Sequence, residues 1–492
     1  MRRSGILMPI SSLPGAYGIG TFSKEAYAFV DFLKESGQKL WQILPLGPTG
    51  YGDSPYQAFS TFAGNPYYID LEALIEEGLL TKAECDALDW GGSEEYVDYG
   101  TIYKSKFQVL RLAFSRTDLE KDKAFFEFIA RNYDWVIDYA LFMAVKNAHN
   151  GACWSEWEED ILLRKESALE KYREEYAEDI LFYEFLQYLF DKQWSKLKAY
   201  ANEAGIKIVG DVPIYVALDS TDIWANPELF QLDEKNMPLA VAGCPPDAFS
   251  ETGQLWGNPL YRWEYHKDTD YAWWIKRMKH CFEWYDIVRI DHFRGFEAYY
   301  SIPAGAETAM KGTWEKGPGM DLFHAMEEAL GEKEVIAEDL GLLTPEVEEL
   351  LKDSGYPGMK VFQFAFYEDS DSAYLPQNHI QNCVIYTGTH DNQTTLGWYL
   401  DLTREDRDFL EEYAGITSWR NACSGMIKLA MMSVADTCII PLQDYLELDD
   451  RARMNEPGST GDNWKWRMKK DVTAQYEQLA SRIHKLVKMY GR

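Results

Sequence analysis

The run "DIVRIDHF" (286–293) decides the architecture. Its first part reads as a buried strand, with Ile287, Val288 and Ile290 close together. Its end is charged. Arg289 lies inside the run, Asp291 and His292 close it, and Arg294 follows. A strand buried on both faces has little use for charge unless its C-terminal end opens onto a site. Parallel strands of a barrel do this.

Seven other runs share this near-continuous apolar character. They are "GILMP" (5–9), "KLWQILPLGP" (39–48), "IKIVGDVPIYV" (206–216), "EVIAEDLG" (334–341), "KVFQFAF" (360–366), "CVIYTGTHD" (383–391) and "CIIPLQDYL" (438–446). Amphipathic stretches separate most of them. "FSKEAYAFVDFLKESG" (22–37) and "WSKLKAYANEAG" (194–205) end on glycine, the residue that closes helices. "TPEVEELLKDSG" (344–355) opens with Thr344 as N-cap and Pro345 in the first turn. Eight such strands alternating with helices predict a (β/α)8 barrel, an α/β fold.

Two intervals are too long for plain connections. Between the second and third runs, about 70–190, the sequence is helical and charge-rich, which predicts an inserted helical subdomain. Between the third and fourth, about 217–275, "CPPDAFSETGQLWGNPLYRW" is loop-rich and predicts a second insertion. With no low-complexity linker, the 492 residues read as a single barrel carrying insertions.

Composition narrows the chemistry. A formal net charge of −31 disfavours nucleic acid, anionic membrane surfaces and strongly anionic substrates. The 17 Trp and 32 Tyr suit stacking on sugar rings, beyond what they give to the core. Seven scattered cysteines without a CxxC pair argue against a disulfide framework or zinc cluster and point to a reducing compartment. No apolar window reaches the roughly 18–20 residues of a membrane span. "ILMPI" near the N-terminus is too short for a signal-peptide core. The expectation is a cytoplasmic protein.

Reactive residues of such barrels sit at strand C-termini. The third run offers Asp211 and Tyr215, the fourth Arg289, Asp291 and His292, the fifth Glu338 and Asp339, the seventh His390 and Asp391. Any one of these acids could simply cap a helix; all of them together are poorly explained that way. Three chemistries could use such a rim. Metal-dependent hydrolysis is poorly served, with eight His and no HxH or HExxH. Phosphoryl transfer lacks a Gly-rich cradle or cationic clamp. Glycoside chemistry needs two carboxylates in different environments. Alternation puts Arg289 and Asp291 on one face, so the guanidinium should keep Asp291 ionised as a nucleophile. Glu338 has no Lys or Arg within "VIAEDLG" and is the candidate to carry a proton.

"VRIDHFRG", "VIAEDLG" and "YTGTHDNQT" together resemble conserved blocks of the α-amylase clan. The closer resemblance is to the amylomaltase family, the bacterial and plant 4-α-glucanotransferases or disproportionating enzymes. It extends over "SGILMPISSLPGAYGIG" (4–20), "LPLGPTGYGDSPYQAFSTFAGNPYYI" (44–69), "GDVPIYVALDSTDIW" (210–224), "GCPPDAFSETGQLWGNPLYRW" (243–263) and "NEPGSTGDNWKWR" (455–467). The resemblance implies a retaining transferase that needs no cofactor and no metal. It would move α-1,4-glucan segments from maltooligosaccharides to glucose or another glucan. It implies Asp291 as nucleophile, Glu338 as acid/base and Asp391 as the third carboxylate. Arg289, His390, Asp211 and Tyr56 would surround the −1 sugar. Phe249, Gln254 and Trp256 would line acceptor sites, and Asn463 is a weaker correspondence. The chain departs from many relatives at Leu218, where they carry His, and at Tyr367 and Glu368. A hydrolase of the same clan and a non-catalytic glycan-binding barrel are the alternatives. His292 and Arg294 are explained by neither the pattern nor the resemblance.

Overall fold

The computed structural model describes residues 2–50, 52–246, 251–341, 343–367, 372–459 and 461–492. All eight runs form strands of one parallel sheet. In chain order these are β1 (Arg3–Leu7), β2 (Leu40–Gln42), β3 (Lys207–Pro213), β6 (Ile287–Asp291), β9 (Val335–Ala337), β10 (Gly358–Val361), β11 (Cys383–Tyr386) and β12 (Thr437–Pro441). Their order around the sheet is β10-β11-β12-β1-β2-β3-β6-β9. The ends meet where the Ala337 N–H donates to the Pro357 carbonyl at 3.0 Å, so the sheet rolls into a barrel. Every strand sends at least one side chain into the lumen: Leu7, Leu40, Val209, Ile287, Ile336, Met359, Val361, Val384, Tyr386 and Ile439 pack there as one cluster. This filled interior leaves the C-terminal mouth as the place for chemistry.

Sequence dictates the close packing at one point on the outer face of the barrel. A Cβ on Gly210 of β3 would lie 2.2 Å from the Tyr285 ring, so only glycine lets β3 run past that tyrosine.

The connection from β2 to β3 is helical. Helices Tyr99–Ser115, Lys123–Arg131 and Tyr133–Ala148 pack on the long helix Ala177–Glu203, which then leads into β3. The second insertion is more ordered than its loop-rich sequence suggests. β4 (Ala240–Cys244) and β5 (Gln254–Pro259) pair antiparallel. They form a four-stranded sheet with β7 (Ala298–Pro303) and β8 (Thr313–Lys316), which follow β6. One half of this sheet therefore comes from a segment the sequence reading did not separate. The run 360–366 also differs: its strand stops at Val361, and Phe362–Phe364 is a 3-10 turn. Among the described residues no α-helix separates β10 from β11.

Candidate active site

Strand register brings the charged residues together. β3 and β6 align Asp211 with Arg289, and β6 and β9 align Ile290 with Ala337, which places Asp291 and Glu338 at adjacent strand ends. His390 and Asp391 follow β11 and face them across the mouth.

Arg289 is buried, and its Nη1 donates to both carboxylate oxygens of Asp211, at 2.7 and 2.8 Å, and to Asp291 at 3.0 Å. One cation thus serves two acids. The guanidinium favours the ionised form of Asp291, the direction that alternation along β6 predicts, but it is shared with Asp211. Burial outweighs it, and Asp291 is pushed up to about 6. Its side chain keeps 28% of its surface, open to the cleft.

Glu338 is held by main chain on both oxygens. Oε2 accepts the His292 N–H at 2.7 Å and Oε1 accepts the Leu340 N–H at 2.8 Å. Burial and the charge of Asp291 raise it to about 7, against the pull of Arg289 and these two donors. Of the two acids Glu338 is the better proton holder.

Asp391 is the opposite case. Burial would raise it, but His390, the Asn455 amide and Arg289 hold it well below the usual carboxylate range. His390 Nε2 lies 3.3 Å from Asp391 Oδ2, and Asn455 Nδ2 donates to Oδ1 at 2.7 Å. Burial disfavours the charged imidazole, yet the pairing with Asp391 wins and His390 is raised. Tyr56 bridges the two groups: its hydroxyl donates to Asp211 Oδ2 at 2.9 Å and lies 2.8 Å from His390 Nε2. Its ring stacks beside the imidazole, centroids 5.3 Å apart. Asn455, Asp391, His390, Tyr56, Asp211, Arg289 and Asp291 therefore form one polar chain around the mouth.

Gln254 and Trp256 lie on β5, with the Trp256 indole N–H donating to Gln254 Oε1 at 3.0 Å. Trp256 reaches the mouth through His292, edge to face at 4.8 Å. Phe249 lies outside the described residues. Asn463 stays within its own loop: Oδ1 accepts the Glu456 N–H and Nδ2 donates to Ser459. Asp339, the other acid of the fifth run, is buried and accepts the Met359 N–H at 2.6 Å, so it belongs to the barrel seam. The Leu218 carbonyl accepts the Trp154 indole N–H at 2.7 Å. Arg294 lies over Trp314 at 4.0 Å and ties the turn after β6 to β8. Asn455 and the main chain of His292 escaped the sequence reading. Asn455 opens the block "NEPGSTGDNWKWR", the one signal that could have flagged it.

A (β/α)8 barrel whose mouth carries two acids of unequal proton affinity and a third that stays ionised belongs to the carbohydrate-active barrels. Comparison with known proteins narrows this. Residues 8–473 match the 4-alpha-glucanotransferase family. A 4-alpha-glucanotransferase from Clostridium butyricum is 50% identical over 487 residues, spanning 99% of this chain and 100% of the relative. One from Thermus thermophilus is 48% identical, spanning 95% of each. The solved structure of the amylomaltase from Streptococcus agalactiae in complex with acarbose superposes with a TM-score of 0.97 at 42% identity, covering 100% of both chains. The chain belongs to the 4-alpha-glucanotransferase family. It is a transferase, a 4-alpha-glucanotransferase.

Proposed function

We propose that this enzyme is a retaining 4-α-glucanotransferase that works through a covalent glucosyl–Asp291 intermediate. The observation that carries the reading is the placement of two carboxyls on adjacent strand ends in different surroundings: Asp291 against the Arg289 guanidinium, and Glu338 held by the His292 and Leu340 N–H groups. Asp291, the carboxylate, attacks the anomeric carbon of the −1 sugar of a maltooligosaccharide. Glu338 gives its proton to the departing 4-oxygen, and that fragment leaves. The 4-hydroxyl of glucose or another α-1,4-glucan then enters, loses its proton to Glu338, and displaces Asp291. Two displacements at one carbon return the α configuration. Asp391, ionised throughout, accepts hydrogen bonds from sugar hydroxyls, and Tyr56 supplies a ring face beside it. Arg289 keeps Asp211 and Asp291 in place. Gln254 and Trp256 on β5 wall the acceptor side, where Phe249 and Asn463 would add contacts.

Transfer requires that a sugar outcompete water. Incubation with maltotriose tests this directly. The expected products are glucose and a ladder of longer maltooligosaccharides at a constant number of reducing ends. A steady gain of reducing ends without longer products would make the enzyme a hydrolase. Saturable binding without turnover would make it a glycan-binding barrel. No helix among the described residues is long and apolar enough to cross a membrane. We place the enzyme with its glucans in the cytoplasm.

A further inference from the structure

His292 is unusual for a residue beside a nucleophile. Its backbone is left-handed, φ 52° and ψ 50°, a conformation that only a few per cent of residues other than Gly adopt, Asn, Asp and His more often than the rest. The ladder between β6 and the chain after β9 explains the consequence. Glu338 N–H donates to the Ile290 carbonyl at 3.0 Å, and Phe293 N–H donates to the Glu338 carbonyl at 3.1 Å. Between these two main-chain bonds, the turn at residue 292 diverts its own N–H to the Glu338 side chain at 2.7 Å.

The imidazole packs beside this turn. It lies edge to face against Trp256 and 6.4 Å from the Tyr215 ring. Gly295 leaves it room: a Cβ there would come within 3.2 Å of the imidazole and 3.3 Å of the Tyr215 hydroxyl. The ring is a poor acid or base itself. Burial first, and then Arg294, depress it to about 3, and its buried Nε2 has no hydrogen-bond partner among the described residues.

We propose that His292 is a positioning residue for Glu338 and works through its main chain: the left-handed turn aims its N–H at the carboxyl and holds that carboxyl still while its proton comes and goes. This rests on Glu338 being the acid/base. The charged and titratable groups that face Glu338 among the described residues are Asp291 and Arg289 of β6 and the Tyr374 phenol from the segment after β10. The His292 N–H stabilises the ionised carboxylate, so its removal should raise the pH at which Glu338 loses its proton and free the carboxyl to rotate.

Three forms of the full-length enzyme test this with maltotriose. His292→Asn tolerates the left-handed turn and keeps the N–H. It should retain kcat within about threefold, with the high-pH limb of activity unmoved. His292→Val disfavours the turn. A main-chain ester at 292, made with the α-hydroxy analogue of histidine, keeps the ring and removes only the N–H. Both should lower kcat about tenfold or more and move the high-pH limb up by about one unit, with KM within about twofold. An ester that leaves both kcat and the limb unchanged overturns the inference. So does His292→Asn losing as much as His292→Val, since the imidazole itself would then be the working group. Should the valine variant fail to fold, the ester decides alone. Failure of the underlying reading looks different: Glu338→Gln would then retain normal transfer from maltotriose.

Discussion

Asp291 and Glu338 occupy neighbouring strand ends, and their surroundings divide the work between them. Both are raised by burial; Arg289 restrains Asp291, whereas the Asp291 charge lifts Glu338 further. On the proposed mechanism the free enzyme is competent when Asp291 is ionised and Glu338 is protonated. Activity should rise as pH passes about 6 and fall as it passes about 7, a narrow bell in kcat/KM against pH for maltotriose. A flat profile from 5 to about 9 would contradict the assignment. Substitution separates the two roles. Asp291→Ala should reduce transfer by a factor on the order of 10⁴ or more, because one nucleophile carries the covalent step. Glu338→Gln should be as poor with maltotriose, yet react with α-glucosyl fluoride, whose leaving group needs no proton. The product would be a glucosyl adduct on Asp291, visible as a mass increase on the peptide that contains it. Adduct on any other residue would move the nucleophile elsewhere.

At the scale of elements, the seam between β9 and β10 holds the fifth and sixth strands in register and, with them, Glu338. Asp339 accepts the Met359 N–H there, and Lys360 lies 3.7 Å from its other oxygen. Gly358 allows this approach, since a Cβ on it would stand 2.5 Å from Asp339 Oδ2. Gly358→Ala should therefore destabilise the fold by about 1–3 kcal/mol, measured by urea unfolding, because a buried carboxylate must shift off its donor. Unchanged stability would mean that the seam is slack. The eight barrel strands were legible because strands buried on both faces leave continuous apolar runs. β7 and β8 were not: "AYYSIP" and "TWEK" are short and mixed in polarity, and only the pairing of β7 with β4 and of β8 with β7 makes them part of a sheet. The end of β10 was misplaced for a related reason, since Phe362 and Phe364 look like strand residues but sit on a 3-10 turn. In the site, charge at strand ends was legible. Asn455 was not, because it meets Asp391 from 64 residues away in the chain. His292 was not either, because the atom that matters is its main-chain nitrogen.

At the scale of the whole molecule, a net charge of −31 meets a substrate that carries none. Acids crowd the mouth itself, where Asp211, Asp291, Glu338 and Asp391 face Arg289 and His390. Raising ionic strength from about 0.01 M to about 0.15 M shortens the screening length from about 30 Å to about 8 Å. Two consequences separate cleanly. The self-repulsion of the folded surface weakens, so Tm should rise by a few degrees across that range. A neutral glucan gains nothing from long-range attraction, and its contacts in the mouth are short hydrogen bonds and ring stacking, which salt screens little. KM for maltotriose should stay within about twofold over the same range. A KM that climbed steeply with salt would mean that a charged group of the donor is being recognised, and the reading of a neutral α-1,4-glucan as substrate would fail with it.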